Sequence, residues 1–310
     1  MSEEIQSTFV DTGEITFEVE TAGEAESDRL ALLLHGFPEL SYSWRHQMPL
    51  LARRGYRVWA PNQRGYGRTT RPEGIAAYRL DALVDDVARL IDASGCKSVM
   101  LLAHDWGAAV AWAFALSPPR PLDRLVIMNL PHPTLFARGL RTWAQIKRSW
   151  YGAMFQVPKL PEALLRAGQG RAIAEAFRGM AIDKSRFPEE VTDVYRRAAL
   201  EPGALTAMVN WYRALRFTTP EWRALVADPP ILEVPTLLLW GEEDAALGKE
   251  LTYGTNELVR DLTLRYLPNV SHWVQQEAPE KVNAMLEAWL AGERVPEASE
   301  IEIEPTVRAG

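Results

Sequence analysis

Apolar and polar residues alternate across residues 8–20, TFVDTGEITFEVE, on either side of an Asp-Thr-Gly turn. That pattern predicts a hairpin. Short apolar runs follow at 30–34 (LALLL), 57–61 (RVWAP), 97–105 (KSVMLLAHD) and 124–130 (RLVIMNL). Runs this short and this continuous suit strands covered on both faces. Helical periodicity lies between them, over 41–54, 79–93 and 106–116, with Gly95 just past the second. From about 132 to 228 strand-like runs disappear. Helices are predicted over 136–149, 161–167, 171–181, 188–199 and 203–215, separated by Pro and Gly. Strand character returns at 234–241 (VPTLLLWG) and 262–268 (LTLRYLP), before a last helix over 279–291. The acidic tail, 292–310, reads as loop or disorder.

Strand–helix alternation on both sides of a helical block implies an α/β fold, a mostly parallel doubly wound sheet with helices on both faces. Open sheets of this kind bind ligands beyond the carboxyl ends of their strands, so the inserted block reads as a cap over a site. The expected organisation is therefore core 1–131, helical cap or lid 132–228, and core again 229–310. Composition adds limits. The chain has 310 residues, 47% hydrophobic and 24% charged, with one cysteine, Cys96. No internal disulfide is possible, which suits a reducing, cytoplasmic setting. A net charge of −7 argues against nucleic acid or an anionic membrane as partner. The acidic first residues carry no basic-then-apolar leader, so no signal peptide is expected. The longest apolar stretch, 99–116, is broken by His104 and Asp105, so it is not expected to span a membrane. Oligomeric state stays open between monomer and homodimer.

The junction of the 97–105 strand with the next helix reads Ala103-His104-Asp105-Trp106-Gly107. A sharp strand–nucleophile–helix turn needs small residues around the nucleophile, and the usual form is G-x-S-x-G. Here the nucleophile is Asp105. A serine attacking an alkyl carbon would leave an ether that water cannot readily cleave. An aspartate leaves an ester of its own carboxylate, which water can hydrolyse. An Asp at this turn thus points to an sp³ electrophile, an epoxide or an alkyl halide. With a reference pKa of about 3.9 it needs no base for the attack. A base is needed afterwards, to activate water. His272, in PNVSHW, follows the last strand as general base. Asp244, in GEED, follows the preceding strand and would orient it, with Glu243 as a rival. An unperturbed His272 would lose its basic form below about pH 6.5. The backbone N–H groups of Phe37, after the HG turn, and Trp106, at the helix start, are placed to form an oxyanion hole.

With these motifs the chain resembles the epoxide hydrolase branch of the α/β-hydrolase superfamily, over about residues 30–290. The residues that carry the resemblance are HGFPE (35–39), SWRHQ (43–47), HDWGA (104–108), YGAMFQVP (151–158), NWYR (210–213), GEED (241–244) and SHW (271–273). The resemblance implies a small-molecule epoxide as substrate, no cofactor, and two cap tyrosines that protonate the epoxide oxygen. The matching positions are Tyr151 and Tyr212. Trp106, Phe155, Trp211 and Trp273 are expected to line the substrate pocket, while His35, Gly36 and Pro38 support the turn. The family's acidic residue in the Asn62-Gln63-Arg64-Gly65-Tyr66-Gly67 loop is replaced by Asn62, and the loop is given no catalytic role.

Blander readings exist for each residue. Asp105 could simply cap a helix, His272 could be a structural histidine, and both tyrosines could be core packing. A haloalkane or haloacid dehalogenase would share the Asp–His–Asp set. It would want N–H donors for a halide: Trp106 could supply one, and the second would be an Asn directly after HG, where Phe37 stands, or a cap Trp. The haloacid enzymes carry an Arg after the nucleophile, where Trp106 stands. A non-catalytic receptor on the same scaffold is a remoter alternative. Serine esterase chemistry lacks its motif. No metal-ligand spacing and no complete dinucleotide fingerprint occurs.

Overall fold

The computed structural model describes residues 4–302. Eight strands form one sheet: β1 (Gln6–Asp11), β2 (Thr16–Ala22), β3 (Arg29–Leu34), β4 (Arg57–Pro61), β5 (Ser98–His104), β6 (Arg124–Met128), β7 (Thr236–Gly241) and β8 (Leu262–Leu267). Their order is β1-β2-β4-β3-β5-β6-β7-β8. The expected hairpin is β1–β2, and β2 joins β4 antiparallel. Every other pairing is parallel.

The continuous apolar runs are explained by burial on both faces. Along β3, Leu30, Leu32 and Leu34 enter one core while Ala31 and Leu33 enter the other. β5 divides the same way, with Leu101 and Ala103 opposite Met100 and Leu102. Helices α1 (Met48–Arg53), α2 (Leu80–Ser94) and α3 (Asp105–Leu116) cover the sheet. α2 and α3 lie on the first face, with Leu83, Val87, Val110 and Phe114; α1 lies on the second, with Met48 and Leu51. The helix expected over 41–54 is divided. A short 3₁₀ turn, Ser41–Trp44, precedes α1, and Pro49 sits in its first turn. Pro is favoured there because its missing N–H would have had no acceptor. α2 ends as expected at Gly95, in the left-handed region at φ 68°.

Between β6 and β7 the described chain is helical: α4 (Pro133–Gly139), α5 (Trp143–Arg148), α6 (Trp150–Met154), α7 (Leu160–Met180), α8 (Glu189–Leu200), α9 (Ala204–Ala214) and α10 (Pro220–Ala227). The single helix expected over 136–149 is two, α4 and α5, and α6 begins just past its end. Thr142 accepts from the Gln145 amide and starts α5 afresh, and Ser149 separates α5 from α6. The expected break near 168–170 is present inside α7, where Gly168, Gln169 and Gly170 all have positive φ. α10 escaped the helical pattern, although Thr219 caps it and Pro220 opens it.

Short helices α11 (Thr255–Leu258) and α12 (Val274–Glu277) and the longer α13 (Pro279–Ala291) complete the chain. α13 packs on the second face with α1, through Val282, Met285 and Leu286. The tail expected as loop or disorder is an ordered loop as far as residue 302. Val295 and Ala298 are buried, and the Arg265 guanidinium donates to the Val295 carbonyl at 2.6 Å. Residues 303–310 lie outside the described residues. No helix among the described residues is long and apolar enough to cross a membrane.

The β5–α3 turn tests the packing most sharply. A Cβ at Gly107 would stand 2.2 Å from the Leu34 carbonyl oxygen and 2.6 Å from that of His35. Those atoms belong to backbone that cannot step aside. Gly107→Ala is expected to cost roughly 3 kcal/mol of unfolding free energy by overpacking. Urea denaturation would read this, and a wild-type midpoint would mean that the turn is softer than its contacts imply.

Candidate active site

Asp105 stands at φ 47°, a conformation that non-glycine residues rarely adopt. The strand ends, the chain reverses in one residue, and α3 begins. The turn leaves no room on two sides. Gly107 lies against the β3 end, and a Cβ at Gly36 would meet the Asp105 side chain at 2.5 Å. His35 holds that β3 loop. The Gln63 amide donates to His35 Nε2 at 3.1 Å, so the ring proton sits on Nδ1, which donates to the Gly36 carbonyl at 2.9 Å. Pro38 follows a cis peptide bond. Asn62 is structural, accepting from the Ser41 amide and donating to Glu18.

The structure brings Asp105, His272 and Asp244 into one buried line. His272 Nε2 is 3.5 Å from Asp105 Oδ2, and its Nδ1 is 2.7 Å from Asp244 Oδ2. The carboxylate against the ring is that of Asp244, not of Glu243. Its second oxygen accepts from the Ala246 and Leu247 amides at 2.8 and 2.9 Å. The Phe37 amide donates to Asp105 Oδ1 at 2.8 Å. The Trp106 amide belongs to the first turn of α3, where backbone donors lack helical acceptors.

Burial alone would protonate these carboxylates and deprotonate the ring. It is outweighed. The bond and charge of His272, then His104 and the Phe37 amide, hold Asp105 below the usual carboxylate range. Asp244 is likewise lowered, by His272 and then by Asn129 and the Leu247 amide. For His272, burial is opposed by the Asp244 charge and by bonds to both carboxylates, which raise it to about 10. The unperturbed value near 6.5 does not describe this ring at rest.

Tyr151 and Tyr212 face the same cavity as Asp105 and Trp106, a space of about 480 Å³ walled by apolar groups such as Phe136, Leu140 and Leu247. Their ring centroids are 6.0 Å apart. Burial first, and the Asp105 charge second, raise both phenols above their ordinary value. Each stays a neutral donor at physiological pH.

The expected pocket residues divide. Trp106 lines the cavity. Trp211 lines a neighbouring cavity and donates its indole N–H to the Arg64 carbonyl at 3.1 Å. Phe155 packs edge-on to Phe37 and Tyr212, behind the cavity wall. Trp273 packs against Phe177 and His272. Neither Phe155 nor Trp273 is among the residues lining the cavity that holds Asp105.

Three polar groups escaped the sequence reading. Asn129, at φ 42° just past β6, donates to Asp244 Oδ2 at 2.7 Å and accepts from the Gly241 amide. Its signal was an Asn at the carboxyl end of a strand beside β7. Glu39 is fully buried. It bonds His104 Nδ1 at 2.6 Å, the Gly36 amide at 2.8 Å, and the side-chain amides of Gln275 and Gln276. His104 then donates through Nε2 to the His272 carbonyl at 2.8 Å. Both residues lie in motifs already noted, but only the fold shows that they buttress the site from behind.

Known proteins share this fold and much of this sequence. The sequence profile of the α/β-hydrolase fold matches residues 32–279. The AB hydrolase superfamily protein YfhM of Bacillus subtilis is 39% identical, over 92% of this chain and 98% of its own. Epoxide hydrolase 4 of Mus musculus is 36% identical, over 90% of this chain and 77% of its own. The crystal structure of Bacillus megaterium epoxide hydrolase bound to an inhibitor superposes with a TM-score of 0.82 at 28% identity, covering 92% of this chain and all of that one. A mutant of the same enzyme has been solved with its product diol. By its fold, its sequence and its solved neighbours, this chain belongs to the epoxide hydrolase branch of the α/β-hydrolase superfamily.

Proposed function

We propose that this chain adds water to a small-molecule epoxide to give a vicinal diol, through an ester formed on Asp105. The observation that carries the reading is an ionised carboxylate facing two neutral phenols across one apolar cavity. Residues 132–228 serve as the cap, carrying both phenols over the carboxyl ends of the strands. The free thiol of Cys96 suits a cytoplasmic setting.

Asp105 attacks an epoxide carbon, the carbon–oxygen bond breaks, and the ring oxygen takes a proton from Tyr151 or Tyr212. Esterification removes the Asp105 charge that helped to raise His272. The imidazolium then releases its proton, which restores the phenol, and the ring becomes a base. Water adds to the Asp105 carboxyl carbon and gives one proton to His272. The resulting oxyanion sits against the Phe37 and Trp106 amides. Collapse frees the diol, whose leaving oxygen takes the other water proton, and carboxylate and imidazolium are both regained. Net, one epoxide and one water become one diol.

His272→Gln should block the second half. Incubated with aryl and alkyl epoxides and matching alkyl halides, it is expected to gain the whole epoxide mass, and to gain nothing when Asp105→Asn is added. A mass gain from halides alone would establish dehalogenation instead. The double change Tyr151→Phe, Tyr212→Phe should slow ester formation at least about a hundredfold, the usual contribution of general acid catalysis. Wild-type single-turnover rates would place the acid elsewhere. Because the Asp105 charge raises His272, Asp105→Asn should lower the ring's titration midpoint from about 10, as read by NMR of labelled histidine. An unmoved midpoint would remove the proton switch from the mechanism.

A further inference from the structure

Beside the active cavity lies a second space of about 420 Å³ lined by three arginines: Arg138 on α4, Arg141 just after it, and Arg223 on α10. No acidic residue lines this space. No ion pair or side-chain hydrogen bond occupies the three guanidinium groups among the described residues. Three exposed cations around one hollow, with no acidic partner among its lining residues, give it a positive potential that favours an anion. The sequence points the same way. From Arg124 to Pro161 there are six cations and no Asp or Glu, in a chain whose net charge is −7.

The hollow is built rather than incidental. Thr134 Oγ1 donates to the Val226 carbonyl at 2.8 Å and ties α4 to α10, so Arg138 and Arg223 are presented by two fastened helices. The Arg138 charge is felt inward too, because after burial it is the second cause that lowers His132, at the start of α4, to about 4. The hollow also adjoins the chemistry. Ala137, Thr218, Trp222 and Val226 line both it and the cavity that holds Asp105. Their side chains make an apolar sill between the carboxylate nucleophile and the arginines.

We infer that Arg138, Arg141 and Arg223 form an anion subsite that anchors a carboxylate carried at the far end of the epoxide substrate, its apolar spacer crossing the sill of Ala137, Trp222 and Val226. The inference rests on the epoxide hydrolase reading above and adds the substrate class: an epoxide with an anionic terminus. Arginine suits the task because its planar fork matches a carboxylate. The same cations keep the anionic end at the rim, so the neutral epoxide end is the one that reaches Asp105.

The test compares an ω-epoxy alkanoate with its methyl ester, in the wild type and in Arg138→Gln, Arg141→Gln, Arg223→Gln and their triple combination. For the acid, KM is expected to rise about fivefold with each single change, the yield of one solvent-accessible charge pair, while kcat is kept. For the ester neither constant should move. Equal effects on acid and ester, or none on either, would overturn the subsite. Turnover of the ester by the wild type reports the epoxide hydrolase reading separately. Calorimetric binding of the dihydroxy acid and of its methyl ester tests the subsite without any catalysis. Tighter binding of the acid, lost in the triple variant and weakened by salt, supports it. Inorganic phosphate binding as tightly as the acid would show an anion site unconnected with the substrate, and would overturn the assignment.

Discussion

A reversal of the chain within one residue governs the geometry of the site. β5 runs through the middle of the sheet and α3 through the middle of one core, and Asp105 joins them at a positive φ. Nothing bulky fits at the neighbouring positions, so β3 and the His35–Gly36 loop come close enough for the Phe37 amide to reach the Asp105 carboxylate. The same reversal aims the carboxylate beyond the strand ends, where α6 and α9 carry the phenols. Strain of this kind persists only where the surroundings over-determine it, and here the two buried faces of the sheet do so.

The second constraint is electrostatic. Burying a charge is costly unless it is paired and hydrogen-bonded. Asp105, His272 and Asp244 meet that condition jointly, with Asn129 and two amides completing Asp244. Behind them Glu39, His104, Gln275 and Gln276 form a further polar layer whose last bond ends on the His272 backbone. The ring is therefore fixed from both its side chain and its main chain. Its proton affinity at rest is a property of the pair of carboxylates, so a change in the charge of either one changes the ring.

Much of this was legible in the sequence. Short continuous apolar runs located the inner strands β3 to β7, because a strand buried on both faces has no polar alternative, and alternation located the β1–β2 hairpin. The small-x-Asp-x-small junction located Asp105, and chain order located Asp244 and His272, because each follows directly on a strand end. Helix boundaries between β6 and β7 were less legible. The Thr142 start of α5 divides what periodicity alone reads as one helix, and the Thr219–Pro220 start of α10 was a local signal in a stretch without strong amphipathic pattern. Pocket lining was the least legible. Phe155 and Trp273 neighbour the motifs in sequence but point into packing, and Asn129 and Glu39 gain their meaning from partners far along the chain, Asp244 for the first and His104, Gln275 and Gln276 for the second.

The helical stretch leaves the sheet at the carboxyl end of β6 and returns at the amino end of β7, its parallel neighbour. A crossover between such strands needs only a dozen or so residues. Everything further, from α4 to α10, is surplus to the connection, and the entropy of closing a longer loop grows only logarithmically with its length. The register of β6 on β7 is thus nearly indifferent to how long the stretch is or how it is shaped. Helices can be lengthened, shortened or exchanged there while Asp105, His272 and Asp244 keep their places, which makes the substrate range of such a chain an evolutionary variable separable from its chemistry.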